Sequence, residues 1–205
     1  MQQPSGIKSD EWRHLQVAFE AYRNGDAAVV SGLFSELGKR LYKFFFARTR
    51  NDSDSDDLTQ AALLKIHLSR HAFNNDLSLK TWTFTVAQRT LIDHWRKRSR
   101  VDANESLESE QSHLESVHDK SIIDLASQIS MRRSLEDALQ ALKPLDRSIV
   151  YLSVTEGLSM AELAHVLEST EGAVKVRVHR LLKGLRKQLL EDEVDSDSKG
   201  QEVVT

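Results

Sequence analysis

Residues 157–190 read GLSMAELAHVLESTEGAVKVRVHRLLKGLRKQLL, two helical patterns joined by a tight turn. Ser159-Met160-Ala161-Glu162 has the form of a capping box, in which the serine oxygen accepts a backbone N–H and the glutamate reaches back. Leu163, Val166 and Leu167 supply the apolar side of the first helix. Thr170 can cap the second helix, with Glu171 at its positive end. Val174, Val178, Leu181 and Leu185 recur at helical spacing and form one apolar stripe. Val176, His179, Arg180, Lys183 and Lys187 fall opposite it, with Lys175, Arg177 and Arg186 on the flanks. Between 172 and 190 there are six Lys/Arg and no acid. This is a helix-turn-helix layout, whose second helix can enter the major groove of DNA. The plainer alternative is an amphipathic helix with a solvated basic face.

Working outward, the 205 residues allow one large or two small domains and a substantial core. Net charge is only −3, so its distribution carries the information. The absence of cysteine excludes disulfides, thiolate catalysis and cysteine zinc sites. No apolar run reaches the length of a membrane span, and the start (MQQPSGIKSDEW) lacks a signal-peptide core, so a soluble cytoplasmic protein is expected. With two prolines, eight glycines and few alternating runs, the chain reads as all-α.

The periodicity predicts a helix from residue 10 with Trp12, Leu15, Phe19 and Tyr22 on one face, stopped by Asn24-Gly25-Asp26. A second helix, about 27–48, places Val30, Leu33, Phe34, Leu37, Leu41, Phe44 and Phe45 in the core. A third opens at Asp54-Ser55-Asp56-Asp57 and runs to about 70; carboxylates there suit the helix dipole. Residues 71–78 (HAFNNDLS) form a loop before a helix at 79–98, with Trp82, Val86, Ala87, Thr90 and Leu91 or Ile92 inward. From 80 to 100 there are six Lys/Arg and one acid. Basic residues close a helix well, but an aromatic, basic helix beside an Asn-rich loop also suits single-stranded nucleic acid.

Residues 101–128 hold seven acids, one lysine and many serines, which predicts a partly disordered linker with a short helix near 122–129. The expected organisation is a domain at 10–100, an acidic linker at 101–129, a helix-turn-helix domain at 130–190 and a disordered acidic tail at 191–205. No catalytic constellation, phosphate-cradling glycine loop or cofactor site emerges. His67 and His71 are four apart but lack a third ligand, so a surface pair is the better reading than a metal site.

Three blocks, in this order, resemble one family. DSDDLTQAALLKIH (54–67) resembles the D-x-E-D-L-x-Q signature of sigma factor region 2, and LKTWTFTVAQRTLIDHWRKRSR (79–100) its promoter-melting helix. Residues 141–185 resemble sigma region 4, and the chain is similar to the compact extracytoplasmic-function (ECF) sigma factors. The resemblance implies a non-enzymatic protein that binds core RNA polymerase, at the β′ clamp helices and the β flap, and promoter DNA. It assigns Asp54, Asp56, Asp57 and Gln60 to polymerase docking. The loop with Phe73, Asn74, Asn75 and Asp76 would hold an extruded base of the downstream element, and Trp82, Arg89, Arg96, Lys97 and Arg100 would follow that strand. Thr170, Lys175, Val176, Arg177, His179 and Arg180 would contact the upstream element. An anti-sigma factor or another regulator is a further partner that the resemblance allows.

The chain departs from the family pattern at Glu168 and Ser169, where a glycine and an apolar residue are usual. Val176 stands where a polar reader is common and suits a thymine methyl, and Leu63 where an aromatic is usual. Two rivals remain: a helix-turn-helix regulator that works without polymerase, and a histidine-metal hydrolase on a helical bundle. The first leaves DSDDLTQ and the basic aromatic helix without a purpose; the second lacks ligands.

Overall fold

The computed structural model describes residues 6–73, 76–102 and 135–200, and every regular element among them is helical. Helix α1 spans Gly6–Arg23, α2 Val30–Thr49, α3 Asp52–Leu68 and α4 Leu79–Asp102. A single 3-10 turn, Arg70–Ala72, follows α3. Helical residues 135–141 form α5, and α6 (Pro144–Val150) continues into a π-helical turn at Tyr151–Thr155. Helices α7 (Met160–Val166) and α8 (Glu171–Gly200) form the helix-turn-helix pair.

The apolar periodicities become the first core. Phe19, Leu37, Leu41, Phe44 and Phe45 are fully buried, joined by Trp12, Leu15 and Leu33. Burying each such side chain contributes about 1.5–3 kcal/mol. Gly25, at φ 96°, makes the reversal between α1 and α2 without a side-chain penalty. Arg50, at φ 54°, closes α2 by donating its backbone N–H to the Phe46 carbonyl. Asn51 then starts α3, its side chain accepting the Asp54 N–H at 2.9 Å.

Helix α4 is buried on two sides, which its sequence pattern concealed. Ala87 and Leu91 are buried as the spacing predicts, but so are Phe84, Thr81, Thr83, Thr85 and Gln88. The second buried face exists because α7 packs along α4. Thr85 and Thr90 donate their hydroxyls to carbonyls one turn back, at 2.8 Å each, and Thr81 donates to Glu162 at 2.9 Å, whereas the buried Thr83 hydroxyl has no partner among the described residues.

The two halves of the chain therefore pack together. Leu152, Leu158, Leu163 and Val174 from the second half join the cluster that holds Trp12, Phe44 and Phe84 from the first. A smaller cluster of Ala138, Leu181 and Leu185 lies within the second half. Polar groups cross the same boundary. The buried Glu156 carboxylate accepts from Trp12 Nε1 at 2.9 Å, Arg40 Nη1 at 3.0 Å and the Tyr151 hydroxyl at 2.7 Å.

Some boundaries differ from expectation. Helix α1 begins at Gly6, ahead of residue 10. Helix α8 continues to Gly200, through a segment expected to be a disordered tail. Acids at a helix C-terminus oppose the dipole, but 185–199 contains no Gly or Pro, and propagation from a formed helix is cheap. Residues 101 and 102 end α4. The remaining linker, the short helix expected at 122–129 and residues 201–205 lie outside the described residues.

Candidate nucleic-acid interface

Helix α8 is set by its caps and its stripe. Thr170 accepts the Ala173 N–H at 3.2 Å, and Ser159 and Glu162 complete the capping box on α7. Val174, Val178, Leu181 and Leu185 are all buried, which turns Lys175, Val176, Arg177, His179 and Arg180 outward. Val176 is half exposed. Lys175 pairs with Glu171 at 2.6 Å and Arg177 with Asp146 at 2.7 Å. Among the described residues, His179 and Arg180 form no ion pair. The turn between the helices is made by Glu168 at φ 50°, with the Ser169 N–H donating to the Ala164 carbonyl at 2.9 Å. Glutamate thus occupies a left-handed position that favours glycine.

On α3, Asp56, Asp57 and Gln60 are exposed along one face, and Leu64 and Leu68 extend that face as bare apolar side chains. Asp54 is partly covered because Arg98 of α4 donates to it at 3.2 Å. The start of α3 and the basic end of α4, predicted to serve different partners, are therefore neighbours.

The loop after α3 corrects the sequence reading at Phe73. That side chain is 2% exposed and wedged between Phe19 (ring centroids 5.4 Å apart) and Trp82 (5.2 Å). It anchors the loop and is not free to receive a base. Asp76 is exposed, whereas Asn74, Asn75 and the Arg100 side chain lie outside the described residues. Trp82 is half-buried by the same aromatic contacts. Arg96 and Lys97 are exposed, and Arg89 pairs with Glu168 at 3.2 Å.

Several residues whose role between the halves carried no sequence signal define the junction. Glu162 accepts from the Ser78 and Thr81 hydroxyls at 3.1 and 2.9 Å and pairs with Lys80 at 3.5 Å. Burial alone would raise its carboxyl pKa. The Ser159 backbone, Thr81 and Lys80 outweigh that and hold it below the usual glutamate value. Lys80 also donates to the Gly157 carbonyl at 3.0 Å. Arg48 is 5% exposed, donates to Ser148 Oγ at 2.8 Å and lies 5.0 Å over the Trp95 ring. Burial, with Arg177 and Arg147 nearby, pushes its pKa down to about 10. Thr81, Thr83 and Thr85 were the one available clue: a helix face facing only water would more often carry charged residues.

Residues 33–101 match the family model described as Sigma-70 region 2, and residues 132–185 match Sigma-70, region 4. The ECF RNA polymerase sigma factor SigF of Caulobacter vibrioides is 33% identical over 167 residues, covering 81% of this chain and 88% of SigF. The RNA polymerase sigma factor CarQ of Myxococcus xanthus is 32% identical over 176 residues, covering 86% of this chain and 98% of CarQ. Among solved structures, the sigma factor RpoE in complex with the anti-sigma factor NepR from Bartonella quintana superposes with a TM-score of 0.62. It is 22% identical and covers 78% of this chain and 95% of that one. CnrH in complex with the cytosolic domain of CnrY gives 0.55 at 20% identity, covering 86% and 97%. These two likenesses are of fold.

Proposed function

The chain belongs to the ECF RNA polymerase sigma factors, and from that premise we propose how its helices share the work. The protein binds core RNA polymerase and directs it to promoters, as a non-catalytic initiation factor. Among the described residues no helix is long and apolar enough to cross a membrane.

The acidic start of α3, with Asp54, Asp56, Asp57 and Gln60, docks on the basic β′ clamp helices, and Leu64 and Leu68 supply apolar contact beyond it. The second half (130–190) meets the β flap and the upstream element. Lys175, Val176, His179 and Arg180 face base edges and Thr170 and Arg177 face phosphates; an arginine can hold a guanine by two hydrogen bonds, and Val176 suits a thymine methyl. The first half (10–100) opens the duplex downstream. Asn74, Asn75 and Asp76 receive an extruded base, while Trp82, Arg89, Arg96, Lys97 and Arg100 follow the freed strand. Site of action is the cytoplasm, where core polymerase works. An anti-sigma factor is a further partner, by analogy with the complex of RpoE and NepR.

One observation carries this reading: an acidic, partly apolar face on α3 and a cationic face on α8 are exposed on the same chain, suited to a protein and to DNA respectively. A regulator acting without polymerase leaves the α3 face unused. Run-off transcription from genomic fragments tests it. Core polymerase with the protein should yield discrete start sites absent from core alone. Identical transcripts with and without the protein would sink the proposal.

A further inference from the structure

A cavity of about 350 Å³ opens where α2, α4, α6 and the start of α8 meet, lined by Arg48, Gln88, Leu145, Ser169, Val174 and Arg177. Two of its walls are polar side chains buried by more than nine-tenths: Arg48 is 5% exposed and Gln88 7%. Both have an atom without a hydrogen-bond partner, Arg48 Nε and Gln88 Oε1. The charges do not balance. Arg147 lies nearby, donating to the Ala47 carbonyl at 2.8 Å and the Gln140 carbonyl at 3.1 Å. Asp146 stands beside the cavity, paired with its lining residue Arg177 and acting favourably on Arg48, while Glu168 pairs with Arg89 and Glu171 with Lys175. Arg48 itself has no carboxylate partner among the described residues; its one side-chain hydrogen bond is to Ser148 Oγ.

We propose that this cavity binds a small phosphate-type oxyanion, free or as the terminal group of a phosphorylated small molecule, and that binding holds the two halves together. A buried guanidinium with no carboxylate bonded to it is costly, and a planar fork of N–H donors matches a tetrahedral oxyanion. The orphan Gln88 oxygen can accept from the hydroxyl of a monohydrogen phosphate, or the amide can rotate and donate its NH2. The start of α8 adds the positive end of a helix dipole. Arg48 and Gln88 come from the first half and the other lining residues from the second, so the site is complete only while the halves are packed. A ligand that binds one arrangement alone shifts the population toward it. Arg177 is also assigned above to a DNA phosphate, so the anion would compete with promoter DNA. That competition rests on the proposed function; the binding does not.

The test titrates the full chain with inorganic phosphate at constant ionic strength, chloride making up the difference. Heat of binding and the side-chain Nε–H resonances of arginine are followed. Saturable binding with one shifted arginine signal is expected, weakened at least tenfold by Arg48→Gln and by Gln88→Leu, with circular dichroism confirming the fold. Arg177→Gln, at an exposed position, gives the same readout should either buried variant unfold. A nucleoside monophosphate, run in parallel, separates the sources: tighter binding than phosphate identifies a phosphorylated small molecule, and equal or weaker binding the free ion. At ten times its Kd the anion should weaken binding of a duplex upstream-element oligonucleotide by up to about tenfold. A response no greater than with chloride, or one unchanged by all three substitutions, overturns the site. Transcription that remains promoter-specific in that event leaves the proposed function standing.

Discussion

Glu168 shows how much one residue can alter a turn. It holds φ 50° at the end of α7, where an L side chain is strained by about 1 kcal/mol relative to glycine. Its ion pair with Arg89 is exposed at both partners and offsets little of that. Glu168→Gly should therefore stabilise the protein by about 0.5–1 kcal/mol, seen as a higher urea midpoint with an unchanged slope. A lower midpoint would mean that the Arg89 contact outweighs the strain. Arg180 tests the opposite link, from residue to function. It is exposed and free of ion pairs among the described residues, so Arg180→Ala should leave the fold intact. If it holds a guanine by two bonds, its loss costs about 1–3 kcal/mol of upstream-element affinity and relaxes preference at one base pair. A randomised-promoter selection that returns an unchanged preference would remove that assignment. Helical spacing placed Arg180 on the outward face, and departure from the family's turn pattern singled out Glu168. The sequence hid Phe73, since a polar Asn-Asn-Asp neighbourhood reads as loop whatever its anchor does.

At the scale of elements, legibility followed the number of faces a helix buries. The single-stripe helices α2 and α8 were readable: Leu33, Leu37 and Leu41, and Val174, Val178, Leu181 and Leu185, are all buried. Helix α4 was half readable, because its second buried face is threonine rather than leucine. For α3 the sequence identified the acidic face but not its apolar extension at Leu64 and Leu68, which a core periodicity cannot distinguish from burial. The face predicts a separable defect. Asp56→Lys with Asp57→Lys reverses the sign of an exposed surface and should abolish co-elution with core polymerase on gel filtration. The dipole penalty is about 0.3–1 kcal/mol per site, too small to unfold the body. Since the α8 cations are untouched, the variant should retain weak, salt-dependent binding to duplex DNA. Continued co-elution of the folded variant would detach α3 from polymerase docking.

For the whole molecule, what the sequence could not supply was the relation between its halves. An acidic linker separates two charge-polarised segments and suggests independent domains, whereas the structure packs α7 along α4. The partners are far apart in sequence, 81 positions for Thr81 and Glu162 and 144 for Trp12 and Glu156, so no local pattern could reveal them. The packed arrangement also engages residues assigned to DNA: Arg89 is paired with Glu168, and Ser78 and Lys80, beside the base-receiving loop, are held by Glu162. Binding of the downstream strand must then compete with these contacts. Glu162→Gln isolates the effect, because glutamine at the same position preserves the capping box while removing the charge facing Lys80. With Glu162 partly exposed, the loss is about 1 kcal/mol, which should raise affinity for a single-stranded promoter oligonucleotide about fivefold. Removing any carboxylate favours DNA generally, so Glu36→Gln, at an exposed carboxylate paired with Lys39 away from the junction, serves as the control. Acid should imitate the substitution. The Glu162 pKa is depressed on folding, so its contribution is complete above the ordinary value of 4.5 and disappears as pH falls through the lower folded value. The wild-type protein should therefore loosen at the junction in that acid range, read as faster amide exchange in α7, and Glu162→Gln should show no such step. Equal gains in DNA affinity from Glu162→Gln and Glu36→Gln, with no difference in their acid profiles, would show that the junction does not restrain the DNA-binding face.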